Sequence, residues 1–213
     1  MEKLILFQGD SITDWGRDRN NDEGCGNGYP LLVKAALGAS HPKEYKFINR
    51  GIGGNRIVDL YARIKMDITN LKPDYLSIYI GVNDVWHELA DQNGVDTAKF
   101  EKIYSMLLDE IKESCPSTKI FLIAPFVLKG CGTSRDDDPS YYERFVIDVA
   151  SKADVVTKLA AKYSLPCVEL QPIFDEACKS APADYWTIDG VHPTPMGHEL
   201  IKNIWIDTFN KIK

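Results

Sequence analysis

KLILFQGDSITD, residues 3–14, joins a short apolar run to a cluster of small polar side chains. Leu4–Phe7 is continuously apolar, which is typical of a strand buried on both faces of a parallel sheet. Asp10, Ser11 and Thr13 follow, and such residues satisfy free backbone N–H groups where a strand turns into a helix. The stretch therefore predicts Ser11 just beyond the carboxyl end of the first strand, the edge at which open α/β sheets bind ligands.

Four further apolar runs alternate along the chain with segments of helical spacing. The runs are Tyr45–Arg50, Tyr75–Ile80, Lys119–Ala124 and Pro166–Leu170. Strands that alternate with helices, without hairpin signals, form parallel sheets with right-handed crossovers. We therefore predict an α/β fold in which helices cover both faces of a five-stranded parallel sheet of order 2-1-3-4-5.

The segments between the strands divide into helical stripes and loops. The helix that begins at Tyr29 is expected to end at Gly38, and a polar pair, Asn83 and Asp84, is typical of a turn or a helix cap. The segment from Pro125 to Pro139 has the length of a functional lid or a disordered loop. The other stripes run from Ile57 to Leu71, Phe100 to Ile111, Tyr142 to Tyr163, Ile173 to Cys178 and Leu200 to Ile212.

Length and composition predict one globular domain over residues 1–213. The chain is 44% hydrophobic and 26% charged, as is ordinary for a soluble protein. Its net charge of −6 disfavours nucleic acid as a partner, because such binders need a basic face. No apolar stretch is long enough to span a membrane, and the amino terminus does not resemble a secretory signal. The five cysteines include no C-x-x-C pair, so we expect neither disulfides nor zinc, and a cytoplasmic location.

Polar segments at the predicted strand ends and in the C-terminal loop supply the parts of an acyl-transfer site. Ser11 is a candidate nucleophile, His192 the base that removes its proton, and Asp189 the carboxylate that orients the imidazole. The N–H groups of Ser11 and Gly54 and the Asn83 carboxamide are candidate donors to an oxyanion. Taken singly, Gly54 is more often a turn glycine and Asn83 a cap residue, but together the segments favour a hydrolase.

These segments resemble, in order, the four sequence blocks of the SGNH (GDSL) hydrolase family. The blocks are GDSIT at 9–13, N-x-G-x-x-G at 49–54, G-x-N-D at 81–84 and D-x-x-H-P at 189–193. The resemblance implies a flavodoxin-like three-layer α/β/α sandwich. Because the Ser/His/Asp set is complete and ligands of zinc-site type do not cluster in the sequence, we expect neither metal nor cofactor. It assigns catalysis to Ser11, Asp189 and His192, and the oxyanion hole to Ser11, Gly54 and Asn83. Two longer stretches, 49–63 and 80–86, resemble the cytoplasmic carbohydrate acetylesterase branch, which includes deacetylases of xylo-oligosaccharides.

Several residues beside these blocks are candidate substrate contacts. Three tryptophans neighbour catalytic segments, and indole faces suit the apolar faces of sugar rings, although an ordinary core position is equally consistent with each. Arg56 would contact a substrate oxygen or, as the more common alternative, pair with Asp59 or Asp84. The candidates are Asp10, Trp15, Arg56, Trp86 and Trp186.

The sequence thus predicts a short-chain O-acyl esterase that forms an acyl-Ser11 intermediate on a small ester such as an acetylated oligosaccharide. The alternative is a lysophospholipase or thioesterase, which would need a continuous apolar trough, with Phe126, Val127 and Leu128 as candidates. A carbohydrate-binding module without activity would lack a member of the triad, and none is missing. The glycine turn at 51–54 completes no nucleotide-binding motif, and a homo-oligomer remains compatible with the sequence.

Overall fold

A computed structural model describes residues 2–213 and shows a sheet of five strands. The strands are β1 (Lys3–Gly9), β2 (Tyr45–Asn49), β3 (Tyr75–Tyr79), β4 (Lys119–Ala124) and β5 (Cys167–Glu169). All neighbouring pairs are parallel, and the strand order is β2-β1-β3-β4-β5. The predicted fold class, strand directions and strand order are therefore confirmed.

Helices connect the strands and cover both faces of the sheet. None of those within residues 2–213 has the length and apolar character needed to cross a membrane. They are α1 (Ser11–Asp14), α2 (Tyr29–Ser40), α3 (Ile57–Ala62), α4 (Val82–Asp91), α5 (Thr97–Ser114), α6 (Tyr141–Tyr163), α7 (Leu170–Ala177), α8 (Ala183–Trp186) and α9 (Pro195–Ile212), with one π-helical turn at Lys65–Thr69.

Side chains of β1 alternate between two cores, because successive residues of a strand point to opposite faces. Ile5 and Phe7 join the core under α2 and α9, whereas Leu6 joins the core under α3 and α5. The helix after β1 thus lies on one face of the sheet, and the helices around β3 lie on the other. The carboxyl ends of β1 and β3 are therefore a topological switch point, where a crevice opens at the edge of the sheet.

Two expectations about local structure were wrong. Gly38 lies inside α2, which continues to Ser40. A Cβ at this position would meet no atom within 4 Å, so neither a tight contact nor a helix end requires glycine here. The Asn83–Asp84 pair lies in the first turn of α4 and not in a turn between other elements. The sequence pattern does not indicate this helix although Val82 and Val85 bury one of its faces, because Asn and Asp favour caps and turns in isolation.

The end of β2 is fastened to the turn that carries Ser11. The buried Asn49 side chain donates to the carbonyl oxygens of Thr13 (2.6 Å) and Cys25 (3.0 Å), and its Oδ1 accepts from the Gly51 N–H (2.8 Å). A Cβ on Gly51 would lie 2.4 Å from the Asp14 nitrogen. Glycine at this position lets two backbone segments touch directly below the sheet edge.

Gly51→Ala is expected to destabilise the protein by about 1–3 kcal/mol, because the added methyl overlaps backbone that cannot move freely. Gly38→Ala is the matched control: its methyl meets nothing within 4 Å, and alanine gains about 0.5–1 kcal/mol over glycine inside a helix. Urea unfolding of both variants measures the difference. Equal stability of Gly51→Ala and the wild type would contradict the close approach.

Candidate active site

Ser11 is the first residue of α1, immediately beyond the carboxyl end of β1. The preceding Asp10 caps this helix, since its Oδ1 accepts from the Ile12 N–H at 3.0 Å. The four-residue helix ends at Trp15, whose backbone is left-handed (φ 31°). Strand β1 and the single capped turn of α1 thus place the Ser11 side chain at the carboxyl edge of the sheet, as the sequence predicted, and the chain changes direction at Trp15.

The structure brings Ser11, His192 and Asp189 together in one hydrogen-bonded row. Ser11 Oγ lies 2.8 Å from His192 Nε2, and His192 Nδ1 lies 2.6 Å from Asp189 Oδ2. The other carboxylate oxygen, Oδ1, accepts from the N–H groups of Val191 (2.9 Å) and His192 (2.8 Å). Because Asp189 accepts the Nδ1 proton, the neutral imidazole presents Nε2 to Ser11 as a proton acceptor.

The same contacts set the charges of the pair. Burial alone would raise the pKa of Asp189, but the hydrogen bonds from the His192 ring and from two backbone N–H groups outweigh it and lower the pKa. Burial alone would lower the pKa of His192, but the hydrogen bond and charge of Asp189 raise it above its ordinary 6.5. Asp189 is therefore held ionised, and the protonated form of His192 is stabilised.

Ser11, Gly54, Asn83 and His192 line one cavity of about 300 Å³. The Gly54 backbone has a φ of 79°, a left-handed conformation that favours glycine. Asn83 donates from Nδ2 to the Asn55 carbonyl at 3.1 Å, which orients its carboxamide beside the glycine turn. The three oxyanion donors that the sequence proposed thus share a cavity with the nucleophile.

Asp84 holds the glycine turn against α4. Its buried carboxyl accepts from the Ile57 N–H through both oxygens, at 3.1 and 3.2 Å, at the start of α3. Burial raises the pKa of Asp84 to about 8. The segment after Gly54 and the helix that carries Asn83 are therefore joined by adjacent contacts from Asn83 and Asp84.

A loop after β4 supports the turn that carries Asp189 and His192. The Leu128 N–H donates to the Gly190 carbonyl (2.8 Å), and the Gly132 N–H donates to the Asp189 carbonyl (2.9 Å). Gly190 itself has a φ of 99°, so the turn depends on a conformation that other residues rarely adopt. The segment 125–139, which the sequence predicts to be a lid or a disordered loop, thus packs in this part against the turn that carries Asp189 and His192.

Comparison with known proteins identifies the family. Residues 7–200 match the model of the GDSL-like Lipase/Acylhydrolase family. The chain belongs to this family. It is 34% identical to an acetylxylan esterase of Geobacillus stearothermophilus over 96% of this chain and 92% of the relative. Like other members of the family, it is a carboxylic ester hydrolase.

Solved structures agree with this assignment. A GDSL-like lipase from Parabacteroides merdae superposes with a TM-score of 0.90 and 37% identity, covering 99% of this chain and 97% of that one. An acetylxylan esterase from Geobacillus stearothermophilus superposes with a TM-score of 0.84 and 32% identity, covering 97% and 93% of the two chains. The α/β/α fold and the GDSL assignment therefore extend over nearly the whole chain.

Two of the three tryptophan candidates of this GDSL hydrolase lie at the site. The ring centroids of Trp15 and Trp86 lie 5.8 and 5.7 Å from that of His192. Trp86 also lines the cavity. Trp186 does not line it: its indole N–H donates to the Ala181 carbonyl at 3.2 Å, and its ring packs on Tyr185. Nearness to Asp189 in sequence does not bring Trp186 to the cavity, because α8 directs its indole elsewhere.

Asp10 and Arg56 are engaged with the protein itself. Asp10 is fully buried and caps α1, so its proposed contact with substrate is corrected to a structural role. The Arg56 guanidinium donates to Asp59 (3.0 Å) and to the Asn93 carbonyl (2.6 Å). The alternative of an ion pair between Arg56 and Asp59 is therefore the one that the structure supports.

Sequence reasoning missed the outer residues of the cavity: His87, Ala90 and Asp91. All three lie on α4, at positions four, seven and eight residues after Asn83. This spacing places them on the same helix face as Asn83. The signal was present in the sequence, but it becomes visible only when the segment is recognised as a helix.

In a histidine titration followed by NMR, we expect His192 to gain its proton above pH 6.5 and His198 to stay neutral down to about pH 4. Asp189 stabilises the imidazolium of His192, whereas burial destabilises that of His198. Asp189→Asn removes the stabilising charge and should move the His192 transition to lower pH while leaving that of His198 in place. A native His192 that titrates below 6.5 would contradict this coupling.

Proposed function

We propose that this GDSL hydrolase removes acetyl groups from carbohydrate hydroxyls, with acetylated xylo-oligosaccharides as its substrates. The observation that carries the proposal is the 2.8 Å contact between Ser11 Oγ and His192 Nε2 in a cavity shared with Gly54 and Asn83. The 34% identity to an acetylxylan esterase supports the acetylated sugar as the substrate class.

The proposed reaction begins with acylation of Ser11. His192 Nε2 takes the hydroxyl proton while Oγ attacks the acetyl carbonyl carbon. The carbonyl oxygen becomes an oxyanion, to which the N–H groups of Ser11 and Gly54 and the Asn83 carboxamide donate. The ester C–O bond then breaks, and His192 gives its proton to the departing sugar oxygen.

Deacylation repeats these roles with water. His192, again neutral, takes a proton from water as the water oxygen attacks the acetyl-Ser11 carbonyl carbon. Acetic acid leaves when the bond to Ser11 Oγ breaks and the proton on His192 returns to the serine, and the acid then loses its proton to solvent to give acetate. Asp189 remains ionised throughout, because its hydrogen bonds lower its pKa, and it stabilises the imidazolium that forms in each step.

The lipid or thioester alternative loses the feature on which it rested. Phe126, Val127 and Leu128 are at most 5% exposed and belong to the hydrophobic core, so they offer no trough for an acyl chain. The cavity at Ser11 is bounded instead by Trp86 and the polar side chains of α4. A wall of this kind suits a small acyl group on a polar alcohol.

We also propose the location of the enzyme, its partners and the roles of its residues. Residues 1–213 act as a single SGNH hydrolase domain in the cytoplasm, on a small-molecule ester and without nucleic-acid or membrane partners. Its catalytic residues are Ser11, Asp189 and His192. Trp15 serves as a positioning residue, because its ring packs against His192 and His198.

Release of acetate from acetylated xylo-oligosaccharides, together with rates on p-nitrophenyl esters of increasing acyl length, tests the function. We expect rates to be highest for acetyl and to fall steeply by butyryl, since longer chains meet the walls of the cavity. Ser11→Ala should abolish nearly all activity, and a serine-directed phosphonate should add its mass at Ser11 in the wild type only. Rates that rise from acetyl to octanoyl would refute the carbohydrate assignment and favour a lipid or thioester substrate.

Asn83→Ala should lower kcat by about 10²–10³-fold, because one donor to the oxyanion is lost, while KM changes little. Asn210→Ala, which removes an exposed amide from α9, is the control and should have no effect. Steady-state kinetics on an acetyl ester separates the two parameters. A variant with normal kcat and raised KM would assign Asn83 to substrate binding instead.

A further inference from the structure

One face of α4 forms the outer wall of the catalytic cavity. Asn83, His87 and Asp91 follow one another at intervals of four residues along this face. A helix rises 1.5 Å per residue, so the three side chains start about 6 Å apart along the helix axis. They form a row that begins at the oxyanion site, and we call it the α4 row.

Exposure increases along the α4 row. Asn83 is buried, His87 is half-buried, and Asp91 is exposed. The cavity therefore deepens toward Ser11 and opens to solvent beside Asp91. An acetyl group has only a methyl beyond its carbonyl carbon, so any part of the substrate that reaches this opening belongs to the alcohol.

The outer two members of the row have free hydrogen-bonding groups. Within residues 2–213, the side chains of His87 and Asp91 form no hydrogen bond and no ion pair with other protein groups. Other polar side chains nearby are engaged: Arg56 with Asp59 and Asn93, and Glu88 with the Gly94 N–H at 3.0 Å. The side chains of His87 and Asp91, which line the cavity, are therefore available to a ligand.

The position of Asp91 is electrostatically unfavourable for the helix. It is the last residue of α4, where the carbonyl end of the helix dipole repels a negative charge. No lysine, arginine or histidine side chain of residues 2–213 forms an ion pair that offsets this charge. Asp91 therefore does not stabilise the helix. Its carboxylate can instead accept hydrogen bonds from the hydroxyl groups of a ligand.

We propose that the α4 row binds the sugar chain of the substrate, with His87 at the acetylated unit and Asp91 at the next unit. This inference rests on the proposed function and adds to it a preference for oligosaccharides over single sugars. The imidazole of His87 donates to or accepts from a hydroxyl, and the carboxylate of Asp91 accepts from one. Ala90, on the same face, leaves room for a ring to lie against the helix.

The test compares wild type, His87→Ala, Asp91→Asn and Asp207→Asn on three acetyl esters. Asp207 is the matched control, because it is an exposed aspartate on α9, away from the cavity. The esters are p-nitrophenyl acetate, monoacetylated xylose, and xylotriose acetylated on its central unit. We would measure kcat/KM for each combination of enzyme and ester, and the melting temperature of each variant.

Asp91→Asn is expected to lower kcat/KM about tenfold on the trisaccharide alone, because a neutral carboxamide oxygen accepts a hydroxyl hydrogen bond less strongly than a carboxylate does. His87→Ala should lower kcat/KM more on both sugar esters than on p-nitrophenyl acetate, whose leaving group has no hydroxyl to bind the imidazole. Asp207→Asn should match the wild type on all three esters. The melting temperature of Asp91→Asn should not fall, since the substitution removes a charge that the helix dipole opposes.

Two outcomes would overturn the α4 row while leaving the proposed function in place. One is an unchanged rate of Asp91→Asn on the trisaccharide, and the other is an equal loss on all three esters, which would indicate a general effect on the catalytic site. A wild-type enzyme that hydrolyses p-nitrophenyl acetate but neither sugar ester would instead refute the proposed substrate class, and the row with it.

Discussion

Ser11 and His192 are separated by 181 residues in sequence and meet at 2.8 Å. Their contact depends on three connections that fix the two ends of the chain at one sheet edge. Asn49 ties the end of β2 to the turn after Ser11, and the backbone of Leu128 and Gly132 carries the turn that holds Asp189. Because each connection uses backbone groups or buried side chains, the distance between Ser11 and His192 is set by the core of the fold.

Helix α4 connects this arrangement to the substrate side. Its first turn carries Asn83, which lines the cavity beside Ser11 and Gly54, and Asp84, which accepts from the Ile57 N–H. Its exposed face supplies the wall of the cavity, and Trp86 of the same helix packs against the His192 ring. One helix therefore holds Asn83, the Trp86 ring beside His192 and the outer wall of the cavity in a fixed relation to one another.

The parts of this site that the sequence predicted are those encoded by local pattern. The apolar run of β1 followed by Asp10 and Ser11 predicts a strand and a turn, and three-residue spacing from Asp189 to His192 allows their side chains to meet. Trp186 and Asp10 show that such patterns do not predict which side chains face the cavity. Their sequence positions beside Asp189 and Ser11 are close, but the direction of each side chain depends on helix geometry and burial that no local pattern contains. The face of α4 was missed for a related reason, since Asn83 and Asp84 carry a turn signal that the packing of Val82 and Val85 overrides.

The buried carboxyl groups near the site differ in the direction in which their surroundings shift the pKa. A negative charge develops on the substrate oxygen during acylation, and an ionised carboxylate close to it would oppose that charge. Burial raises the pKa of Asp84 to about 8, so this carboxyl, one residue from Asn83, is mainly neutral at pH 7. It still accepts the Ile57 N–H, because a protonated carboxyl retains acceptor capacity. Asp189, by contrast, receives two backbone N–H bonds and the His192 ring, which keep it charged where a positive imidazolium forms. Burial outweighs the charge of Lys152 at Asp84, whereas the hydrogen bonds from His192 and two backbone N–H groups outweigh burial at Asp189, so the two carboxyl groups have opposite charge states at pH 7.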